Sequence, residues 1–166
     1  MKADPSVASF QVEFHRQPSG VRVAFRGFIN ESTQLPINHR DLAFPLDIDL
    51  SGVTLINSMG LRTWMLFIVD VSKRGPVTLH RVPEVMVRQF CMVAGSHGGA
   101  VVRSVLAPYR CDACGAASTQ ELTIGVDVVP ATYSKPPPRK PCARCAAPSS
   151  FDDIADAFFS FTLATP

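Results

Sequence analysis

The sequence predicts an α/β fold: a mixed β-sheet packed against helices, followed by a small four-cysteine module and a C-terminal helix. Three observations predict it. Leu46, Ile48 and Leu50 alternate with Asp47, Asp49 and Ser51, the period-two pattern of a strand. An apolar, helix-like run begins at Leu61, preceded by the capping side chains of Asn57 and Ser58. From Pro108 the composition shifts and two C-x-x-C pairs follow. The sheet-and-helix unit is assigned to residues 1–108 and the cysteine module with its helix to residues 109–166.

Residues 1–9 read as a loose lead-in. Phe10 to Phe14 alternates and reads as a strand; Gln17-Pro18-Ser19-Gly20 is a turn; residues 21–27 form a second strand, giving a hairpin. Any helix after Glu31 is short or starts late, near Asn38-His39-Arg40-Asp41, because Ser32-Thr33-Gln34-Leu35-Pro36 intervenes. The central strand leads to a helix over residues 58–73, closed by a basic last turn and Gly75-Pro76. Leu61, Trp64, Met65, Ile68 and Val71 lie on adjoining rows of that helix, yet residues 64–69 are all apolar. An all-round apolar stretch implies a second covered face, either within the fold or under a partner. Residues 77–82 read as a strand, and residues 83–94 as a helix opened by Pro83-Glu84 and stopped at Gly95. Cys91 reads as a small buried apolar side chain of that helix. Residues 100–106 read as one further strand.

The segment from Leu46 to Leu61, LDIDLSGVTLINSMGL, is similar to the signature of STAS domains (sulfate transporter and anti-sigma factor antagonist). In that pattern a strand ending in an acidic, a hydrophobic and a hydroxyl residue leads to acidic–hydroxyl–hydroxyl–Gly at a helix start. Ser58 and Gly60 match; Asn57 stands in place of the acidic residue and Met59 in place of the second hydroxyl. The resemblance covers roughly the first two thirds of the chain. It implies a STAS-like mixed sheet and makes Ser58 the phosphorylation site. It also implies a partner-binding edge of Asn57, Ser58, Met59, Gly60, Arg62 and Trp64, facing a kinase-like anti-sigma factor or related protein. Physical chemistry adds that a phosphate on Ser58 would meet unsatisfied N–H groups at the positive end of a helix dipole.

Cys111-Asp112-Ala113-Cys114 and Cys142-Ala143-Arg144-Cys145 are two knuckles separated by 27 residues. Each converges two thiolates on one ion, and together they complete a tetrahedral S₄ site that suits Zn²⁺. The arrangement resembles a zinc ribbon with a lengthened hairpin. Four cysteines leave no open coordination position, so the expected role of the metal is structural. Residues 121–129 supply strand material, and Pro130 with residues 134–141 make an extended return. Residues 149–161 read as a helix capped by Ser150, with Phe151, Ile154, Phe158 and Phe161 as an apolar stripe.

The 166-residue chain is 46% apolar with a net charge of +2, too near neutral to imply nucleic acid or an anionic membrane as the main partner. Arg139, Lys140 and Arg144 are opposed nearby by Asp152, Asp153 and Asp156, which leaves a zinc-ribbon nucleic-acid binder as the weakest reading. No apolar run approaches the ~18 residues of a membrane span, and the first residues lack a signal peptide's apolar stretch. The expected location is cytoplasmic, where cysteines serve metals more than disulfides. No G-x-G-x-x-G follows a strand. Asp47 and Asp49 share a side of their strand, and His15, His39, His80 and His97 are scattered, so no catalytic constellation is evident. The expectation is a non-enzymatic signalling protein switched at Ser58. The alternative is a phosphorylation-independent assembly protein that docks through the STAS-like surface and the zinc module.

Overall fold

The computed structural model describes residues 9–38, 40–129 and 136–163. The lead-in over residues 1–8, His39, and Pro130, Ser134 and Lys135 of the extended return lie outside the described residues. The expected hairpin forms from β1 (Gln11–Gln17) and β2 (Gly20–Ile29), paired antiparallel with Phe14 opposite Val23. β3 (Leu46–Ile56) runs parallel to β2, β4 (Val77–His80) parallel to β3, and β5 (Val101–Val102) parallel to β4. The resulting five-stranded sheet has the order β1-β2-β3-β4-β5.

Alternation decides what each sheet face does. Leu46, Ile48 and Leu50 are fully buried beneath α1 (Ser58–Arg74) and α2 (Glu84–Met92), together with Val21, Val23 and Phe25 of β2. Phe25 meets Trp64 edge-on with ring centroids 6.5 Å apart, and Trp64 stacks on Phe90 at 6.4 Å. The Trp64 indole N–H donates to the Ser96 carbonyl at 2.8 Å, so the core aromatic leaves no polar atom stranded. On the opposite face sit Arg22, Asp47, Asp49 and His80. Asp47 accepts from His80 Nε2 at 3.1 Å, and Asp49 pairs with Arg81 while also accepting from the Ser51 N–H at 3.0 Å.

Three expectations are corrected. Among the described residues no helix forms between β2 and β3; residues 30–38 and 40–45 are turns and irregular chain, held by bonds such as Thr33 N–H to the Asn30 carbonyl at 3.1 Å. The strand expected over residues 100–106 is two strands in two sheets. β5 ends at Val102, and β6 (Ser104–Cys111) starts a second, antiparallel sheet. The helix expected over residues 149–161 is instead strand β9 (Pro148–Phe151), a single turn α3 (Ala155–Phe158) and a 3₁₀ turn over Ser160–Thr162. β9 pairs with β6, which places Ser150 in a ladder rather than at a cap. Of the apolar stripe, Phe158 and Phe161 are buried, but Ile154 is 70% exposed and Phe159 is fully buried in its place.

The second sheet has the order β7-β6-β9-β8, with β7 at Ala117–Thr123 and β8 at Lys140–Pro141. The expected boundary at 108/109 lies inside β6. Backbone bonds join the two sheets there: Arg103 N–H to the Leu79 carbonyl at 2.8 Å, and Leu106 N–H to the Val82 carbonyl at 2.8 Å. One apolar cluster runs from Ile48 and Trp64 through Phe90 to Tyr109, Leu122 and Phe161. Phe90 meets Phe161 at 6.1 Å, and the Cys91 thiol donates to the Phe158 carbonyl at 3.2 Å, so the chain end seals α2.

Candidate functional site: a helix start and a cysteine cluster

The α1 start is built by its cap. Asn57 has extended backbone, and its Oδ1 accepts from the Gly60 N–H at 2.7 Å, which satisfies one orphan donor of the first turn. Asn57 Nδ2 donates to Glu31 Oε2 at 2.9 Å, and this bond holds the Glu31 carboxyl below its ordinary range. A carboxylate contributed by the turn after β2 thus stands beside the cap residue. That pairing joins residues 26 apart and has no local sequence signal.

Ser58 is the first helical residue and is exposed, as are Met59, at 53%, and Arg62. Gly60 is buried against β2: a side-chain carbon there would lie 2.5 Å from the Ile29 carbonyl carbon and 2.8 Å from the Asn30 nitrogen. Glycine is therefore a packing requirement at this position. Trp64, expected at the partner edge, is 0% exposed and belongs to the core. Its helical phase explains the correction: two residues on from Arg62, it lies on the opposite side of α1, against Phe25 and Phe90. The flank of α1 that does face outward carries Arg62, Met65, Leu66, Val69, Asp70 and Lys73 along a shallow groove that begins at Ser58 and has the buried Leu61 in its lining. Leu66 is 65% exposed, so the second covered face implied by the apolar run is not supplied by the described residues.

The four cysteines converge. All four sulfurs lie within 4.8 Å of one another, with Cys111 Sγ 3.5 Å from Cys145 Sγ and Cys114 Sγ 3.9 Å from Cys142 Sγ. A tetrahedron of Zn–S bonds near 2.3 Å has an S···S edge of about 3.8 Å, so the spacing fits a metal such as zinc. The two knuckles repeat one backbone design. Gly115 N–H donates to the Cys111 carbonyl at 3.0 Å and Cys111 N–H to the Ala116 carbonyl at 2.9 Å; Ala146 to Cys142 and Cys142 to Ala147 repeat these bonds at 2.8 Å each. The residue after each second cysteine is left-handed: Gly115 at φ 69° and, without a glycine's freedom, Ala146 at φ 59°.

The knuckles also prepare the sulfurs electrostatically. The Cys114 N–H points at Cys111 Sγ (3.4 Å) and, with neighbouring donors, lowers the Cys111 thiol to about 6. The Arg144 N–H does the same at Cys142 Sγ (3.4 Å) and lowers that thiol too. At Cys145 the Ala147 N–H favours ionisation, but hydrogen bonds to Cys111 and the other sulfurs outweigh it and push the thiol up to about 12. Crowded thiols cannot all ionise alone; a dication among them removes that conflict. Around the cluster three basic residues are paired with carboxylates, Arg139 on Asp112 at 3.5 Å, Arg110 on Asp152 at 2.8 Å and Lys140 on Asp127 at 3.1 Å.

No helix among the described residues is long and apolar enough to cross a membrane. No protein-family model matches the chain, and no curated protein matches it.

Proposed function

We propose that the protein is a non-enzymatic, STAS-like signalling module that binds a kinase-like anti-sigma factor, or a related protein partner, through the start and outer flank of α1. The observation that carries this reading is the exposed Ser58 at the first position of α1, opening directly onto an uncovered apolar groove. Phosphorylation there would add roughly −1.5 to −2 charges. Arg62, one turn on, is placed to pair with that phosphate, which would redraw the charge at the groove's mouth. Zn²⁺ held by Cys111, Cys114, Cys142 and Cys145 acts structurally in this reading, because the four thiolates complete its coordination and tie β6 to β8 and β9.

Affinity capture from the native host tests it, using the wild type, Ser58→Ala and Ser58→Asp. Loss of an ATPase-like protein kinase from the Ser58→Asp catch alone supports switching. Identical catches refute it. A second reading, a phosphorylation-independent assembly protein, is favoured by one observation: Leu66, Val69 and Lys73 lie two or more turns beyond Ser58, so the groove can dock without any contact to that residue.

A further inference from the structure

Ser149 is 0% exposed, and its Oγ has no hydrogen-bond partner among the described residues. A buried hydroxyl without a partner is costly, and each such group calls for an explanation. The register supplies one. Ser149 stands directly opposite Cys111 of β6 on one side and Lys140 of β8 on the other. Directly opposed residues of an antiparallel ladder project from the same face, with Cβ atoms about 4.5–5.5 Å apart. Lys140 is committed elsewhere, its Nζ 3.1 Å from Asp127 Oδ1. The other residue directly opposite Ser149 is Cys111, a member of the cysteine cluster.

A neutral thiol is a weak acceptor, whereas an ionised, metal-bound sulfur is a strong one. Cys111 already receives the Cys114 N–H at 3.4 Å, on the knuckle side. We infer that Ser149 is a positioning residue of the metal centre: its hydroxyl donates to the Cys111 thiolate from the strand side when a metal is bound. The inference rests on the metal reading above. It explains why a hydroxyl with no protein partner sits at a fully buried strand position beside a cysteine. The adjacent Ser150 is a natural control, since its Oγ already has a partner, Asp112 Oδ2 at 3.2 Å.

The full chain is loaded with zinc, cobalt or NMR-active cadmium, as wild type, Ser149→Ala and Ser150→Ala. Ser149→Ala is expected to lose metal to a chelator competitor about tenfold or more readily, within the range seen when an outer-shell partner is removed. Its cobalt–thiolate charge-transfer band is expected at lower energy, because the sulfur loses a hydrogen bond. The metal-free Ser149→Ala chain is expected to unfold at the same denaturant concentration as the wild type or a higher one. Ser150→Ala is expected to match the wild type in affinity and spectrum. Unchanged affinity and band position in Ser149→Ala overturn the inference, as does an equal loss of stability with and without metal. Should Ser149→Ala not fold, the cadmium-loaded wild type decides: a slowly exchanging Ser149 hydroxyl proton coupled to cadmium supports the inference, and its absence overturns it. A wild type that binds no metal overturns the metal reading as well.

Discussion

Replacing Gly60 by alanine tests how the α1 start is held against the sheet. The new carbon would lie 2.5 Å from the Ile29 carbonyl carbon and 2.8 Å from the Asn30 nitrogen, and closer still to the Ile29 oxygen. All three are backbone atoms, so no side chain can swing aside. Ordinary carbon–carbon contact requires the helix start to retreat by about 1 Å. Overpacking of this kind costs up to about 3 kcal/mol. The same retreat stretches the Asn57 N–H bond to the Ile29 carbonyl, now 3.2 Å, at a cost of about 1 kcal/mol. Alanine's better helix propensity returns about 1 kcal/mol. The net loss is about 3 kcal/mol, which for a chain of this size corresponds to a melting temperature lower by about 6–12 °C. Thermal and urea unfolding followed by circular dichroism measure it. A Gly60→Ala protein that melts with the wild type would refute the claimed close packing of α1 on β2.

Removing the metal is expected to destabilise the chain. With free zinc at 100 times its dissociation constant the linkage is about 2.7 kcal/mol, so a chelator should lower the melting temperature by about 5–11 °C; elemental analysis should find one zinc per chain, lost in Cys142→Ser. For Asp49, burial opposes ionisation, but the Arg81 guanidinium and the Ser51 N–H outweigh it and hold the carboxyl below 3.8. A depressed folded value contributes stability that is present above the unfolded value and lost as pH falls through the folded one. Urea midpoints should therefore drop below about pH 4, and Asp49→Asn should be weaker at neutral pH yet flatter in acid; parallel profiles would remove the pair from the acid response. Leu66→Glu is expected to change stability by no more than about 0.5 kcal/mol, since the side chain is 65% exposed, while abolishing capture of the partner. Retained capture would move the docking surface away from α1.

The features legible in the sequence are those encoded locally. The β1–β2 hairpin follows from alternation and a Pro-Ser-Gly turn, β3 from its acid–apolar period, and α1 from its cap and its basic, Gly-Pro end. The four-cysteine cluster was readable because ligand spacing is itself local within each knuckle. Long-range pairing was not readable. β9 carries Pro-Ser-Ser-Phe, which scores as a helix cap followed by acids, yet its partner β6 lies about 40 residues earlier and decides the outcome. The break at Arg103 between β5 and β6 is likewise tertiary, made where the backbone must leave one sheet and enter another. Trp64 shows the limit of reading surfaces from a motif: its helical phase, not its nearness to Ser58, places it in the core. Glu31, Ser149 and the Asp49–Arg81 pair emerge only once distant segments meet.

The switch at Ser58 is tested most directly by its chemistry. The protein is incubated with extract of its native host and ATP, then digested and mapped by mass spectrometry, with Ser58→Ala alongside. Phosphate on the peptide containing Ser58, absent from Ser58→Ala, is the expected result. Phosphate found only elsewhere, or on no residue, would contradict the switch and leave Ser58 as the exposed first residue of a helix that Asn57 caps.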